Sequence, residues 1–544
     1  MLGFWAFIGL TAATFAVAAF LPVYTDEIVW KLLQGRYFYD GGRAGVAFAT
    51  CGVRSVALPW LLTPFRMFDS LIYENISGPA MVRAIGIAQA GAAGLLIWYG
   101  LHRALHRVCS GRLLLCLVLA VLTLGIMPFL LILNRPEQVM LIGMVLFAIP
   151  PLLMPASPPR AIWADMGLGA LLALFCGYFF SAHPRAVFAL PLVLVCIHHI
   201  FTRRWVAVLV GVLVSIFCGV ALLDWAGRTK CADPLIAYAL ALDSSLDAIL
   251  QGEFTRFLLY FTWRFLRDPA KFLYFSVLRM DQISTESMIP PGTTVWALAA
   301  SVLAEAVLAG LMLAGGVAFW LLARRAWRRW RVTTAEVALA CVWAFYGWAV
   351  LARATKASYE AALIEPVMAI AALGSLWVAR RRLVRLFGAR GVRRAGALGF
   401  AVLIGVSVFS QTVLIGTYLP AARGAWAVGG YPVGQKFSVS TADYAVLRQK
   451  ILATARRCGI EPVNTTRHPV LDELTVFAMQ PVYLPIIATY IDEQGWGKGI
   501  RDYRAFLAGV GSDGMVVGCQ WVPEQLRGDA IQDGAFCCLP SFRR

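Results

Sequence analysis

Charge is what this sequence lacks most. Of 544 residues, 14% are Asp, Glu, Lys or Arg, where a soluble globular domain carries roughly 25%. Hydrophobic residues make up 60%, and the mean hydropathy is +0.71. That balance excludes an ordinary soluble fold. Acidic residues are the scarcer sign, 30 against 48 Lys and Arg, leaving a net charge of +18. The excess does not point to nucleic acid. Its arginines gather in short loops between apolar runs, at Arg324, Arg325, Arg328, Arg329 and Arg331 and again at Arg380 to Arg382, Arg385, Arg390, Arg393 and Arg394. That is the placement expected of the positive-inside bias. No CxxC pair with zinc spacing, no internal repeat and no low-complexity tract is present. The first apolar segment also lacks a basic leading region, so it is read as an uncleaved helix rather than a signal peptide.

What the chain does have is a series of apolar runs. By the criterion of about 20 residues per crossing there are about eleven. They fall near 2–22, 82–101, 113–133, 138–155, 163–181, 186–201, 205–224, 295–323, 335–353, 360–379 and 397–419. The loops alternate. One set holds Arg103, Arg107, Arg112, Arg160, Arg203, Arg204 and the two large arginine clusters; the other is longer and holds most acidic residues. Placing the first set in the cytoplasm puts the N-terminus inside and the C-terminus outside. The expectation is an all-α polytopic membrane protein with about eleven transmembrane helices and interfacial helices in its external loops. Residues 1–420 form the membrane domain and 421–544 a small C-terminal extracytoplasmic α/β domain.

Twelve cysteines divide between these parts. Cys116, Cys176, Cys196, Cys218 and Cys341 lie in apolar runs and read as small hydrophobes. Cys458, Cys519, Cys537 and Cys538 lie in the polar tail, where an external location permits one or two disulfides in any of three pairings. The external stretches 23–81 and 225–294 mix aromatic, aliphatic and basic residues, as in Phe257–Arg267, and suit helices lying in the interface. In the tail, the runs at 474–479 and 514–519 read as strands and 441–457 as a helix.

Four groups of polar residues sit where chemistry would be placed. Asp26 and Glu27 follow directly on the first apolar run, at the depth where lipid headgroups meet water. A carboxylate there can act as general base on an acceptor hydroxyl; equally, Thr25 or Asp26 can cap an interfacial helix and Glu27 favour its N-terminus. Asn134-Arg135-Pro136-Glu137-Gln138 forms a very short external turn whose Arg135 and Glu137 are either used or simply solvated. Ser181-Ala182-His183-Pro184-Arg185 forms another, in which His183 and Arg185 suit a phosphate or Pro184 merely marks the turn. Arg353, Lys356, Tyr359, Glu360 and Glu365 surround the turn before the tenth run. Glu305 lies well inside the eighth and reads as either a functional or a packing residue. Arg279 and Asp281 are weaker phosphate candidates, and His198-His199 fall at the cytoplasmic end of the sixth run.

Together these features resemble the GT-C superfamily of integral membrane glycosyltransferases. Its nearest branches are the protein O-mannosyltransferases with the lipid A aminoarabinose transferases, and the cell-wall arabinosyltransferases. The acidic doublet within Tyr24-Thr25-Asp26-Glu27, the Arg135-Pro136-Glu137 turn and the long external loop after the seventh run carry the resemblance, over roughly residues 1–420. The extended substrate motifs of any one branch are not matched. The resemblance implies an enzyme of the bacterial inner (cytoplasmic) membrane. It would move a sugar from a polyprenyl-phosphate donor to a hydroxyl of a glycan, lipid or protein acceptor on the extracytoplasmic side, with inversion. Asp26 would be the base. Arg135, His183, Arg185 and Lys356 would meet the phosphate, Glu27 and Glu137 would orient hydroxyls, and Tyr359 and Glu360 would line the substrate site. A divalent cation is compatible but not required. Two other classes share the carrier substrate: a transporter or flippase of a lipid-linked glycan, using Glu305 and Glu365, and an O-antigen ligase or polymerase.

Overall fold

The computed structural model describes residues 2–19, 61–62, 64–65, 68, 79–106, 109–125, 127–133, 136–155, 158–229, 295–351, 365–427, 430–432, 438–440, 449–450, 453–459, 514–519 and 524–540. Its helices, in chain order, are α1 (Leu2–Ala19), α2 (Pro79–Leu105), α3 (Gly111–Leu122), α4 (Met127–Leu131), α5 (Pro136–Leu153), α6 (Ile162–Ala182), α7 (Leu190–Ile200), α8 (Arg204–Thr229), α9 (Val295–Arg329), α10 (Thr334–Leu351) and α11 (Glu365–Ala427). Among the described residues, six helices are long and apolar enough to cross a membrane, and four apolar helices are shorter. The expectation of a helical membrane protein holds at that level. The chain divides into two units, one of residues 1–19, 85–219 and 242–420, the other of 20–84, 220–241 and 421–544.

In the first unit α5 is central, packing on α6, α7 and α10, while α1 packs on α3 and α4. Phe129, Phe147, Phe179, Phe180 and Phe345 are buried there, and the Phe147 and Phe179 rings meet edge to face at 5.4 Å. Between apolar helices in lipid, water supplies little drive to associate, so close approach and polar contacts decide the packing. Both are visible. A Cβ on Gly315 of α9 would lie 2.4 Å from the Cα of Ala372 on α11, so these two backbones nearly touch.

The run at 113–133 is not one helix but two. α3 stops at Leu122, Gly125 takes φ +53°, and α4 starts at Met127 just before Pro128, which has no N–H to give. Irregular backbone at membrane depth is tolerated only inside protein, where its polar groups find partners. Here the break is lined by buried side chains. Gln411 Nε2 donates to Thr123 Oγ1 at 3.1 Å and to Ser407 Oγ at 3.0 Å, Thr123 and Ser407 hydroxyls lie 2.7 Å apart, and Thr14 Oγ1 lies 3.2 Å from Gln411 Oε1. One network thus joins α1, the α3–α4 break and α11.

Two further departures involve arginine clusters. Instead of opening a loop after 379, a first helix runs on through Arg380 to Arg382 and Arg385 to a break at Gly388, non-helical at φ +72° and ψ +154°. A second helix starts directly after it and carries Arg390, Arg393 and Arg394. α9 likewise continues through Arg324, Arg325, Arg328 and Arg329, and Trp330 follows at φ +49°. Arginine is a good helix former, so a topology signal and a helix coexist in the same residues.

The second unit contains strands β1 (Gly430–Pro432), β2 (Ser438–Ser440), β3 (Gly514–Gly518), β4 (Ile531–Asp533) and β5 (Phe536–Pro540). β1 pairs with β2; β3, β5 and β4 form an antiparallel sheet with β5 in the middle. The two-residue connection Gly534-Ala535 has φ +62° at Gly534, as a tight hairpin needs. Cys537 and Cys538 are neighbours on β5 and point to opposite faces. They therefore reach different partners: Cys458–Cys538 and Cys519–Cys537 are the disulfides, one of the three pairings left open. The 514–519 run is a strand as expected, whereas 474–479 lies outside the described residues.

Candidate functional site

Glu137 and His183 are the site residues brought together. α5 opens with Pro136, which suits a first helical position because its missing N–H has no partner to lose. Glu137 follows in the first turn, where the amide ends of the helix favour a negative charge. It is 0% exposed. The ordinary solvated turn considered for this stretch is therefore wrong for Glu137: Pro136–Gln138 are already helix, and Glu137 and Gln138 are buried. α6 ends at Ala182, His183 is extended, and a 3-10 turn runs over Pro184–Ala189 into α7. The His183 Nε2 stands 3.8 Å from Glu137 Oε1, and its Nδ1 accepts the Arg185 backbone N–H at 3.1 Å.

Helix packing explains the meeting. A Cβ on Gly143 would lie 2.3 Å from the Phe179 ring, so α5 and α6 cross closely at these two positions. Glu137 lies six residues before Gly143 and His183 four after Phe179, about 9 and 6 Å along their helices. The glycine thus sets how near the carboxylate and imidazole come. Phe179 is held in turn by Phe147 and Phe180 at 5.4 and 5.3 Å.

The hydrogen bonds assign the tautomer. Nδ1 is an acceptor, so the ring carries its proton on Nε2, which faces Glu137. A doubly protonated ring would set N–H against N–H at Arg185. His183 thus turns its Nε2 edge toward Glu137, 3.8 Å away. A buried carboxylate needs such partners, since leaving it uncompensated is costly. Beside it, Gln138 is also buried, and its amide donates to the Leu131 carbonyl at the end of α4. Gln138 Oε1 has no hydrogen-bond partner among the described residues, leaving an acceptor beside the carboxylate.

Asp26, Glu27, Arg135, Lys356, Tyr359 and Glu360 lie outside the described residues, as do Arg279, Asp281 and Arg353. Glu305 is buried on α9 at 9% exposure. Glu365 begins α11. Two ionic sites escaped sequence reasoning. Asp165 in the first turn of α6, 1% exposed, meets Arg203 at 2.5 Å and Arg160 at 3.7 Å, tying the 158–161 and 201–203 connections together. Glu336 and Thr333 form a reciprocal capping box at the start of α10. The Thr-x-x-Glu spacing was a legible signal for the second; for the first, no local pattern announced the partner. Among the described residues no three His, Cys, Asp or Glu side chains gather as a metal site. Compared with models of known protein families and with curated protein sequences, the chain matches none.

Proposed function

We propose that this chain is a GT-C-type glycosyltransferase that moves a sugar from a polyprenyl-phosphate carrier to an acceptor hydroxyl at the outer face of a bacterial cytoplasmic membrane. Eleven crossings, with the N-terminus inside, are part of the proposal. The observation that carries it is Glu137. The carboxylate of the Arg-Pro-Glu motif is fully buried at a helix end, with the imidazole of His183 3.8 Å away. A connection between spans needs neither group, and burying the carboxylate is costly without a use. The two disulfides of the C-terminal unit support an oxidising compartment for the tail, in keeping with the arginine-based orientation.

In this reading Asp26 takes the proton from the acceptor hydroxyl as its oxygen bonds to the anomeric carbon. The bond from that carbon to the phosphate oxygen breaks on the opposite side, and polyprenyl phosphate leaves. The single displacement inverts the anomeric centre. Phosphate leaves readily, so one base and cations against the growing charge are sufficient. Arg135, Arg185 and Lys356 supply those cations. Glu137, beside His183, orients a sugar or acceptor hydroxyl with Glu27, and Tyr359 and Glu360 line the carrier side.

The test uses two variants of the full chain, each checked for unchanged thermal stability in detergent. Asp26→Asn abolishes transfer. Glu137→Gln lowers it about 10- to 100-fold, the worth of one hydrogen bond to a charged group. Transfer retained in Asp26→Asn removes the base assignment. An unaltered rate in Glu137→Gln removes the site.

A further inference from the structure

The other end of the bundle carries a second built feature. α5 bears Glu137 in its first turn and Leu152 in its last, and a Cβ on Gly374 of α11 would sit 3.3 Å from Leu152 and 3.1 Å from Leu339 at the start of α10. The end of α9, the start of α10 and the 380s of α11 therefore lie away from the Glu137–His183 pair. There α9 and α11 enclose a cavity of about 260 Å³ lined by Arg324, Arg325, Arg328, Arg382 and Arg385 between Leu321 and Leu386. The Gly315–Ala372 contact, a few turns away, holds the two helices close enough for their arginines to share it.

A topology signal needs basic residues near the membrane edge, but it does not need them to converge. Four of the five have partners in the protein: Arg382 donates to the Leu321 carbonyl, Arg385 Nε to the Arg381 carbonyl at 3.3 Å, Arg325 stands 3.8 Å from Glu336, and Arg324 lies over the Trp320 ring at 5.4 Å. Like charges held together in this way favour an anion between them, and guanidinium groups match phosphate oxygens in pairs. The surroundings are apolar and exposed. Trp327 and Trp330 stack at 5.9 Å with 77% and 85% of their surface open, and Leu386 and Phe387 are more than 60% open. Exposed tryptophans mark headgroup depth, and exposed aliphatics beside them meet acyl chains. A soluble phosphate compound would use the cations and leave that rim without purpose.

We infer that the α9–α11 cleft binds the phosphate groups of an anionic phospholipid, preferring a headgroup with two phosphates, with its acyl chains along Leu386 and Phe387. Basic pockets between transmembrane helices are suited to such headgroups. The site is separate from the proposed sugar-transfer chemistry and does not depend on it.

The probe is cardiolipin, added to the full-length protein in neutral detergent and counted as retained adducts by native mass spectrometry, with phosphatidylcholine as reference. Wild type retains cardiolipin at least tenfold in preference. Arg324→Gln/Arg328→Gln/Arg385→Gln, which leaves Arg325 and Arg382 in place, loses that preference. Arg328→Gln alone, the milder change should the triple variant fold poorly, gives a partial loss. Arg393→Gln/Arg394→Gln, equal in sign but outside the cavity, keeps the preference. Equal loss in the outside variant would reduce the effect to general surface charge and overturn the inference. So would displacement of cardiolipin by millimolar inorganic phosphate, which would make this a soluble-anion site.

Discussion

Replacing Gly143 by Ala adds one methyl group at the point where α5 and α6 cross. That carbon would lie 2.3 Å from two atoms of the Phe179 ring, well inside contact distance. The ring has no room to yield, being fully buried between Phe147 and Phe180. Overpacking of this kind costs about 1–3 kcal/mol. Against it stands a helix-propensity gain of about 0.8–1 kcal/mol for Gly to Ala. Gly316→Ala isolates the difference, because a Cβ there meets nothing within 4 Å and has the same propensity gain. The two variants should therefore differ by about 1–3 kcal/mol, with Gly316→Ala at or above wild type. Since the crossing sets the Glu137–His183 distance, Gly143→Ala should also lower transfer activity while Gly316→Ala leaves it intact. Reversible unfolding of the purified protein in mixed micelles measures the first effect and labelled-sugar transfer the second. Equal stabilities for the two variants would refute the packing argument. Equal activities would sever the glycine from the site.

Three other perturbations follow from the same geometry. Gln411→Leu removes the centre of the buried network at the α3–α4 break, yet Thr14 and Thr123 keep their bonds to the Leu10 and Leu119 carbonyls. Its cost in micelle unfolding should accordingly be about 0.6 and no more than about 2 kcal/mol; a larger loss would mean that the break depends on Gln411 alone. The Cys458–Cys538 bridge spans 80 residues and Cys519–Cys537 spans 18. Loop-closure entropy makes the paired serine replacement of the first costlier by about 1 kcal/mol, and the reverse order would contradict that account. Hydrogen bonds from Thr454 and Arg457, with the Arg457 charge, hold the Asp533 carboxyl below its usual range. A group depressed in this way stabilises the fold above its unfolded pKa, and that contribution is lost as pH falls through the folded value. The melting-temperature gap between wild type and Asp533→Asn should be constant near neutrality and close below about pH 4. A gap that widens in acid would reverse the assignment.

How much of this was legible depended on whether the deciding partner was local. The apolar runs announced themselves because a crossing needs about 20 residues of one character. The Thr333-x-x-Glu336 box and the 514–519 strand were likewise written in neighbouring residues. The α3–α4 break was not: Gly125 in an apolar run looks like any membrane glycine until Gln411, almost three hundred residues away, supplies the polar partner. Glu137 misled for a related reason. Pro-Glu suits both a turn and the first turn of a helix, and only packing near Gly143 and Phe179 decides that the carboxylate is buried. Arginines at 324–329 and 380–394 read as loops, whereas helix continues through the first cluster and on both sides of Gly388 in the second. Cysteine pairing needed the alternation of β5.

The central claim, that this chain transfers sugar rather than moving a lipid-linked glycan, is tested most directly by following the carrier. Full-length protein in proteoliposomes would receive polyprenyl-phosphate sugars labelled in the sugar, taken from a hexose and pentose panel, with an envelope extract as acceptor. The account predicts stoichiometric release of free polyprenyl phosphate as label passes to acceptor, absent with Asp26→Asn. Label that crosses between leaflets with the sugar–phosphate bond intact would contradict it.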